Sequence, residues 1–124
     1  MVCILVIDDD EQMRRTVTRM LQQAGHDVIE AAGGVASIRQ FRRNPCAVVI
    51  TDIVMPDKEG IETIREIRAT APGVRIIAMS GYAATNMQEH YLRLAEVLGA
   101  DASLTKPFRV EELLQVLNRV LGKS

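Results

Sequence analysis

The 124-residue chain has almost no surplus of either charge: 15 lysines and arginines stand against 16 aspartates and glutamates, for a formal net charge of −1. A chain so balanced has no global field to draw it onto nucleic acid or an acidic membrane, so direct binding to either is not expected. Arg14-Arg15 and Arg42-Arg43 are short basic pairs, read as solvated helix faces rather than as a phosphate-binding stripe. Cysteine is scarce too. Cys3 and Cys46 each sit in an apolar run, form no Cys-x-x-Cys pair and are isolated from His26 and His90. That excludes a structural zinc site and leaves two buried thiols in a reducing compartment as the expectation. No apolar run approaches the length of a membrane span, and Met1 leads at once into a strand-like segment without the basic start and cleavage site of a signal peptide. A cytoplasmic location is expected. Internal repeats, low-complexity tracts and linkers are missing as well, and the length suits one domain over residues 1–124, able to bury a core without staples.

What the chain does contain is an alternation. Short apolar runs, Cys3-Ile4-Leu5-Val6-Ile7, His26-Asp27-Val28-Ile29-Glu30, Ala47-Val48-Val49-Ile50, Val74-Arg75-Ile76-Ile77-Ala78-Met79 and Ala102-Ser103-Leu104, are separated by longer segments of helical period. The first, third and fourth are nearly continuous and rich in Val and Ile, as strands covered on both faces should be. The second alternates with polar residues and predicts a more exposed strand near an edge. Among the helices, Met13, Val17, Met20, Leu21 and Ala24 recur at helical spacing before a stop at Gly25. Gly33-Gly34 precedes a second helix and Gly60 begins a third. Tyr91, Leu94, Ala95 and Leu98 would form the buried stripe of a fourth, ended by Gly99. Val110, Leu113, Leu114, Leu117, Val120 and Leu121 mark the last, ended by Gly122. Strand–helix alternation repeated five times predicts right-handed crossovers and a parallel sheet with helices on both faces, a doubly wound α/β domain.

Such sheets bind ligands at the carboxyl ends of their strands, where strand order reverses. The first strand runs into Asp8-Asp9-Asp10-Glu11 and the third into Thr51-Asp52, so neighbouring strands would bring at least three carboxylates together. Asp10 or its neighbours could simply cap the first helix, but a cap needs one side chain and not a cluster. Two carboxylates ~4 Å apart cost roughly 4 kcal/mol at an effective dielectric near 20, a cost removed by a hard divalent cation with all-oxygen ligands such as Mg²⁺ or Mn²⁺.

The stretch Asp52-Ile53-Val54-Met55-Pro56-Asp57-Lys58-Glu59-Gly60 resembles the phosphoacceptor loop of the CheY-like response-regulator receiver family of two-component signalling. Ser80, in Ala78-Met79-Ser80-Gly81, stands where that family places its switch Ser or Thr, and Lys106-Pro107-Phe108 matches its Lys-Pro pair. The resemblance runs from Ile4 to Leu121. It implies a flavodoxin-like fold with strand order 2-1-3-4-5 and five helices. It also implies a phosphoacceptor switch rather than an enzyme turning over a substrate: Asp52 would be the nucleophile, Lys106 and Ser80 would bind phosphoryl oxygens, and the cation would be held by Asp9, Asp52, the Val54 carbonyl and, largely through water, Asp8. The implied donor is a sensor histidine kinase or phosphotransfer protein. The implied output is a rearranged surface of the fourth helix, fifth strand and fifth helix toward a protein partner that the sequence does not name, nor does it give the oligomeric state. By the same resemblance Lys106-Pro107 should be cis, and Val54 and Tyr82 should flank the site and shield an aspartyl phosphate from water.

Two departures stand out. Receivers commonly carry an aromatic residue three positions before the lysine, where this chain has Ser103. Residues 81–100 are also several positions longer than the family leads one to expect. Two other readings compete. A magnesium-dependent phosphatase of the haloacid dehalogenase type would use the Asp-x-Asp pattern within Asp8-Asp9-Asp10, but it calls for Thr or Val at Gln12 and a later acidic pair that is missing. A flavin binder would want a Gly-, Ser- and Thr-rich phosphate cradle after the first strand, where four acidic residues stand instead.

Overall fold

Branched apolar side chains fit a pleated surface buried on both faces, and the Val- and Ile-rich runs become the strands of the sheet. The computed structural model describes residues 1–53, 60–81, 93, 96 and 99–122. In chain order its elements are β1 (Cys3–Ile7), α1 (Glu11–Gln23), β2 (Asp27–Ala31), α2 (Gly34–Arg43), β3 (Val48–Asp52), α3 (Gly60–Thr70), β4 (Arg75–Ser80), β5 (Ala102–Thr105) and α4 (Val110–Val120). All four strand pairings are parallel, in the order β2-β1-β3-β4-β5. Four helices are present among the described residues where five were expected. The helix expected around Tyr91, Leu94, Ala95 and Leu98 falls outside the described residues, as do Val54 and Tyr82.

Each sheet face carries its own core. Leu5, Ile7, Val49, Ile53 and Ile76 pack with Phe41 of α2 and Ile64 and Ile67 of α3. Ile4, Val6, Ile50, Ile77 and Met79 pack on the other face with Val17 and Leu21 of α1 and Leu113 and Leu117 of α4. The predicted edge position of the second strand holds, and its middle residues remain half-buried. Gly25 and Gly122, just past α1 and α4, have positive φ, the backbone that lets a helix end in a tight turn, and Gly99 has positive φ as well.

The cysteines depart from expectation. Cys3 and Cys46 are joined as a disulfide, with Cα atoms 4.9 Å apart, and are not two separate thiols. The reason is tertiary. β1 lies beside β3 with Ile4 opposite Val48, and the Ala47 N–H donates to the Cys3 carbonyl at 3.1 Å, which brings the residues leading both strands face to face. No described helix is long and apolar enough to cross a membrane.

Candidate functional site

The parallel register decides where the acidic residues meet. Ile7 of β1 lies opposite Thr51 of β3, so Asp8 and Asp9, one and two residues past β1, come up against Asp52 at the end of β3. This is the place where strand order reverses, between β1 and β3. One carboxylate oxygen from each of Asp8, Asp9 and Asp52 lies within 4.8 Å of the others. Asp10 does not join them. It is the N-cap of α1, its Oδ1 accepting from the Gln12 N–H at 3.0 Å and the Met13 N–H at 3.3 Å. Asp8 and Asp52 are buried and Asp9 is exposed, so the cluster is walled on the protein side and open to solvent on one edge.

Asp8 is tied at every polar atom. Its N–H donates to the Ala31 carbonyl at 3.2 Å, Oδ1 accepts from the Asp10 N–H at 3.0 Å, Oδ2 accepts from Lys106 Nζ at 2.8 Å, and its carbonyl accepts from Arg14 Nη1 at 2.9 Å. Lys106 Nζ also stands 3.6 Å from Asp52 Oδ1, which in turn accepts from the Ile53 N–H at 3.0 Å. Burial is the main force on Asp52. It pushes the carboxyl up to about 6 from an ordinary 3.8; Lys106 opposes it, Asp8 and Asp9 add to it, and the Ile53 N–H opposes it again.

Lys106 reaches the cluster from the end of β5, where the Lys106-Pro107 bond is cis, as the family resemblance implied. Ser80 ends β4, opposite Thr105, and is buried; its Oγ donates to the Gly81 carbonyl at 3.3 Å, and its own carbonyl accepts from the Lys106 N–H at 2.9 Å. Asp8, Asp9, Asp52 and Lys106 are therefore brought together, and Ser80 is at the same end of the sheet. Val54, expected to add a carbonyl ligand, lies outside the described residues. The donor set of three carboxylates fits a hard divalent cation, which would neutralise charges that otherwise repel.

Two residues matter more than the sequence suggested. Arg14, grouped with Arg15 as a solvated pair, is only 13% exposed at its side chain and grips the Asp8 carbonyl and Glu30, whereas Arg15 is 63% exposed. The signal available was its position in the first turns of the helix that follows the acidic cluster, opposite an acidic residue on the alternating second strand. Gly60 is the other. A Cβ there would collide with the Asp52 carbonyl, and the Gly60 N–H donates to the Ile53 carbonyl at 3.0 Å, so α3 begins directly against the end of β3.

This arrangement has relatives. DNA-binding transcriptional regulator NtrC of Azospirillum brasilense is 36% identical over 98% of the chain, which spans 24% of that protein. Response regulator receiver protein CpdR of Brucella abortus is 32% identical, with 95% of each chain covered. Among solved structures, chemotaxis protein CheY4 of Vibrio cholerae superposes with a TM-score of 0.86 at 29% identity, over 97% of this chain and 98% of the other. The chain thus spans nearly all of one curated relative and about a quarter of another. Residues 4–118 match the response regulator receiver domain, and with the acidic cluster at the β1–β3 switch point this chain belongs to that family.

Proposed function

We propose that this chain is a phosphorylation switch in which Asp52 accepts a phosphoryl group from a sensor histidine kinase, a phosphotransfer protein or a small acyl phosphate, with Mg²⁺ or Mn²⁺ bound by Asp8, Asp9, Asp52 and the Val54 carbonyl. The observation that carries this reading is the convergence of Asp8, Asp9 and Asp52 within 4.8 Å, with the Lys106 ammonium 3.6 Å from the proposed nucleophile. Asp52 Oδ1 is held by the Ile53 N–H, and the other carboxylate oxygen is the attacking atom in this reading. A bond forms from that oxygen to phosphorus, while the bond from phosphorus to the donor's nitrogen or oxygen breaks and its electron pair leaves with the donor. The transferring group spreads negative charge over three oxygens, so the site's task is positioning and neutralisation. When bound, the cation supplies charge neutralisation for those oxygens. Lys106, held by Asp8, supplies a fixed positive charge from the other side, and Ser80 supplies a hydroxyl donor once it turns from the Gly81 carbonyl.

Residues 1–124 act as one such unit, a signalling switch rather than an enzyme for an external substrate. Its output is a population shift at the surface formed by the segment before β5, β5 itself and α4, toward a protein partner. The aromatic lever common in receivers is replaced by Ser103, whose Oγ donates to Glu96 Oε1 at 3.3 Å, so the readout here runs through that segment. A cytoplasmic location goes with a kinase donor, and reducing conditions there would open the Cys3–Cys46 bond.

Incubation with acetyl phosphate, with and without Mg²⁺, followed by intact mass and peptide mapping, tests the reading. One phosphoryl group on Asp52, dependent on metal and absent from Asp52→Asn, is expected. An unmodified Asp52 with both acetyl phosphate and a kinase as donors would overturn it.

A further inference from the structure

Asp8 owes its place to more than the strand it follows. Its carbonyl accepts from Arg14 Nη1 at 2.9 Å, and Arg14 Nε donates to Glu30 Oε1 at 2.9 Å. The guanidinium thus spans three elements. It projects from α1, is braced by a carboxylate on β2, and clasps the turn between β1 and α1 from which two of the three clustered carboxylates emerge. At 13% side-chain exposure the guanidinium is largely shielded from water, so its charge-assisted bond to the buried Asp8 forms where such bonds are strong, while the Glu30 side chain is a third exposed and its bond is weaker. The Ala31 carbonyl holds the N–H of Asp8, but among the described residues only Arg14 holds its carbonyl oxygen.

We propose that Arg14, braced by Glu30, is a positioning residue for the cation site: it fixes the Asp8–Asp9 turn so that both carboxylates face Asp52. This rests on the receiver reading above. Arg14 touches none of the proposed reacting atoms; it acts through the backbone of Asp8. A ligand's outer partners set its orientation and typically change metal affinity by roughly tenfold or more when removed. Lysine at position 14 carries one nitrogen where arginine uses two, so it can serve the carbonyl or the carboxylate but not both in the same geometry.

The test is direct Mn²⁺ binding to the unphosphorylated protein, read by electron paramagnetic resonance, alongside the Mg²⁺ concentration that gives half-maximal phosphorylation by acetyl phosphate. Arg14→Met should weaken Mn²⁺ binding roughly tenfold and raise the Mg²⁺ requirement in step, with the rate at saturating Mg²⁺ largely retained. Arg14→Lys should fall between the two. Glu30→Gln keeps the arginine and the fold, and should weaken binding in the same direction by less. Arg15→Met, on the exposed neighbour, should leave affinity unchanged. Wild-type affinity in Arg14→Met overturns the proposal. So does a loss of rate at saturating metal with no change in affinity. Asp9→Asn separates this from failure of the underlying reading: if that variant still binds Mn²⁺ like the wild type, the acidic cluster is not the cation site at all.

Discussion

Asp52 is buried at the end of β3 with two other carboxylates beside it, and each of these circumstances opposes its charge. Its pKa rises from 3.8 to about 6, so the folded protein holds this proton more tightly than the unfolded chain does. Stability therefore falls as pH rises between about 4 and 6, and the full cost of the ionised carboxylate is present above that window. With its side chain 11% exposed, solvent screening is slight, and the shift corresponds to about 3 kcal/mol. Asp52→Asn should accordingly stabilise the metal-free protein by up to about 3 kcal/mol at pH 7.5 and by almost nothing near pH 4. Urea unfolding in the presence of a chelator, repeated across that range, checks both the size and the sign. A variant less stable than the wild type at pH 7.5 would mean that Lys106 outweighs burial.

Among the elements, the contact between α3 and the end of β3 is the most demanding. Gly60 fits because it has no side chain, and a Cβ would run into the Asp52 carbonyl, which is backbone and cannot swing aside. Gly60→Ala should cost about 1–3 kcal/mol, the usual range for overpacking, and should also slow phosphorylation because the strain falls on Asp52 itself. Urea midpoints and the rate of acetyl phosphate labelling would show both effects together; a variant labelled as fast as the wild type would show that the carbonyl moves without disturbing the carboxylate. Arg68 of α3 does comparable work at the other pole. It donates to the carbonyls of Pro72, Val74 and Gly99 and to Asp101 Oδ2, whose second role is to accept from the Ile76 N–H at 2.8 Å. That clamp joins the starts of β4 and β5 and keeps their register, on which the placement of Ser80 and Lys106 depends.

Across the whole molecule, the disulfide and the acidic site sit at opposite poles of one sheet. Cys3 begins β1 and Cys46 precedes β3, whereas Asp8 and Asp52 are at the far ends of the same strands, roughly 16 Å or more away at strand rise. The bond closes a loop with a sequence separation of 43, worth about 4 kcal/mol in the chain-entropy account. Reduction, or Cys46→Ser, should lower stability by up to about that amount while leaving phosphorylation of Asp52 essentially unchanged. Urea unfolding with and without reductant, next to a labelling assay, separates the two; a labelling rate that followed the redox state would show that the poles communicate. Five strands, the edge position of β2 and the placement of Asp8, Asp9, Asp52, Ser80 and Lys106 at one end of the sheet were legible in the sequence, because alternation of apolar runs with helical periods is a local signal and each of these residues ends or directly follows a strand-forming run. Asp10 as the cap and Asp8 and Asp9 as the clustered pair were expected as well, and the path of the turn gives them those places. The pairing of Cys3 with Cys46 was not legible, nor was the burial of Arg14 beside the exposed Arg15, because adjacent letters do not say which strand lies next to which or which way a helix faces. Local chemistry sets which groups are available; the parallel register of β1 with β3 and of β4 with β5 sets which of them meet.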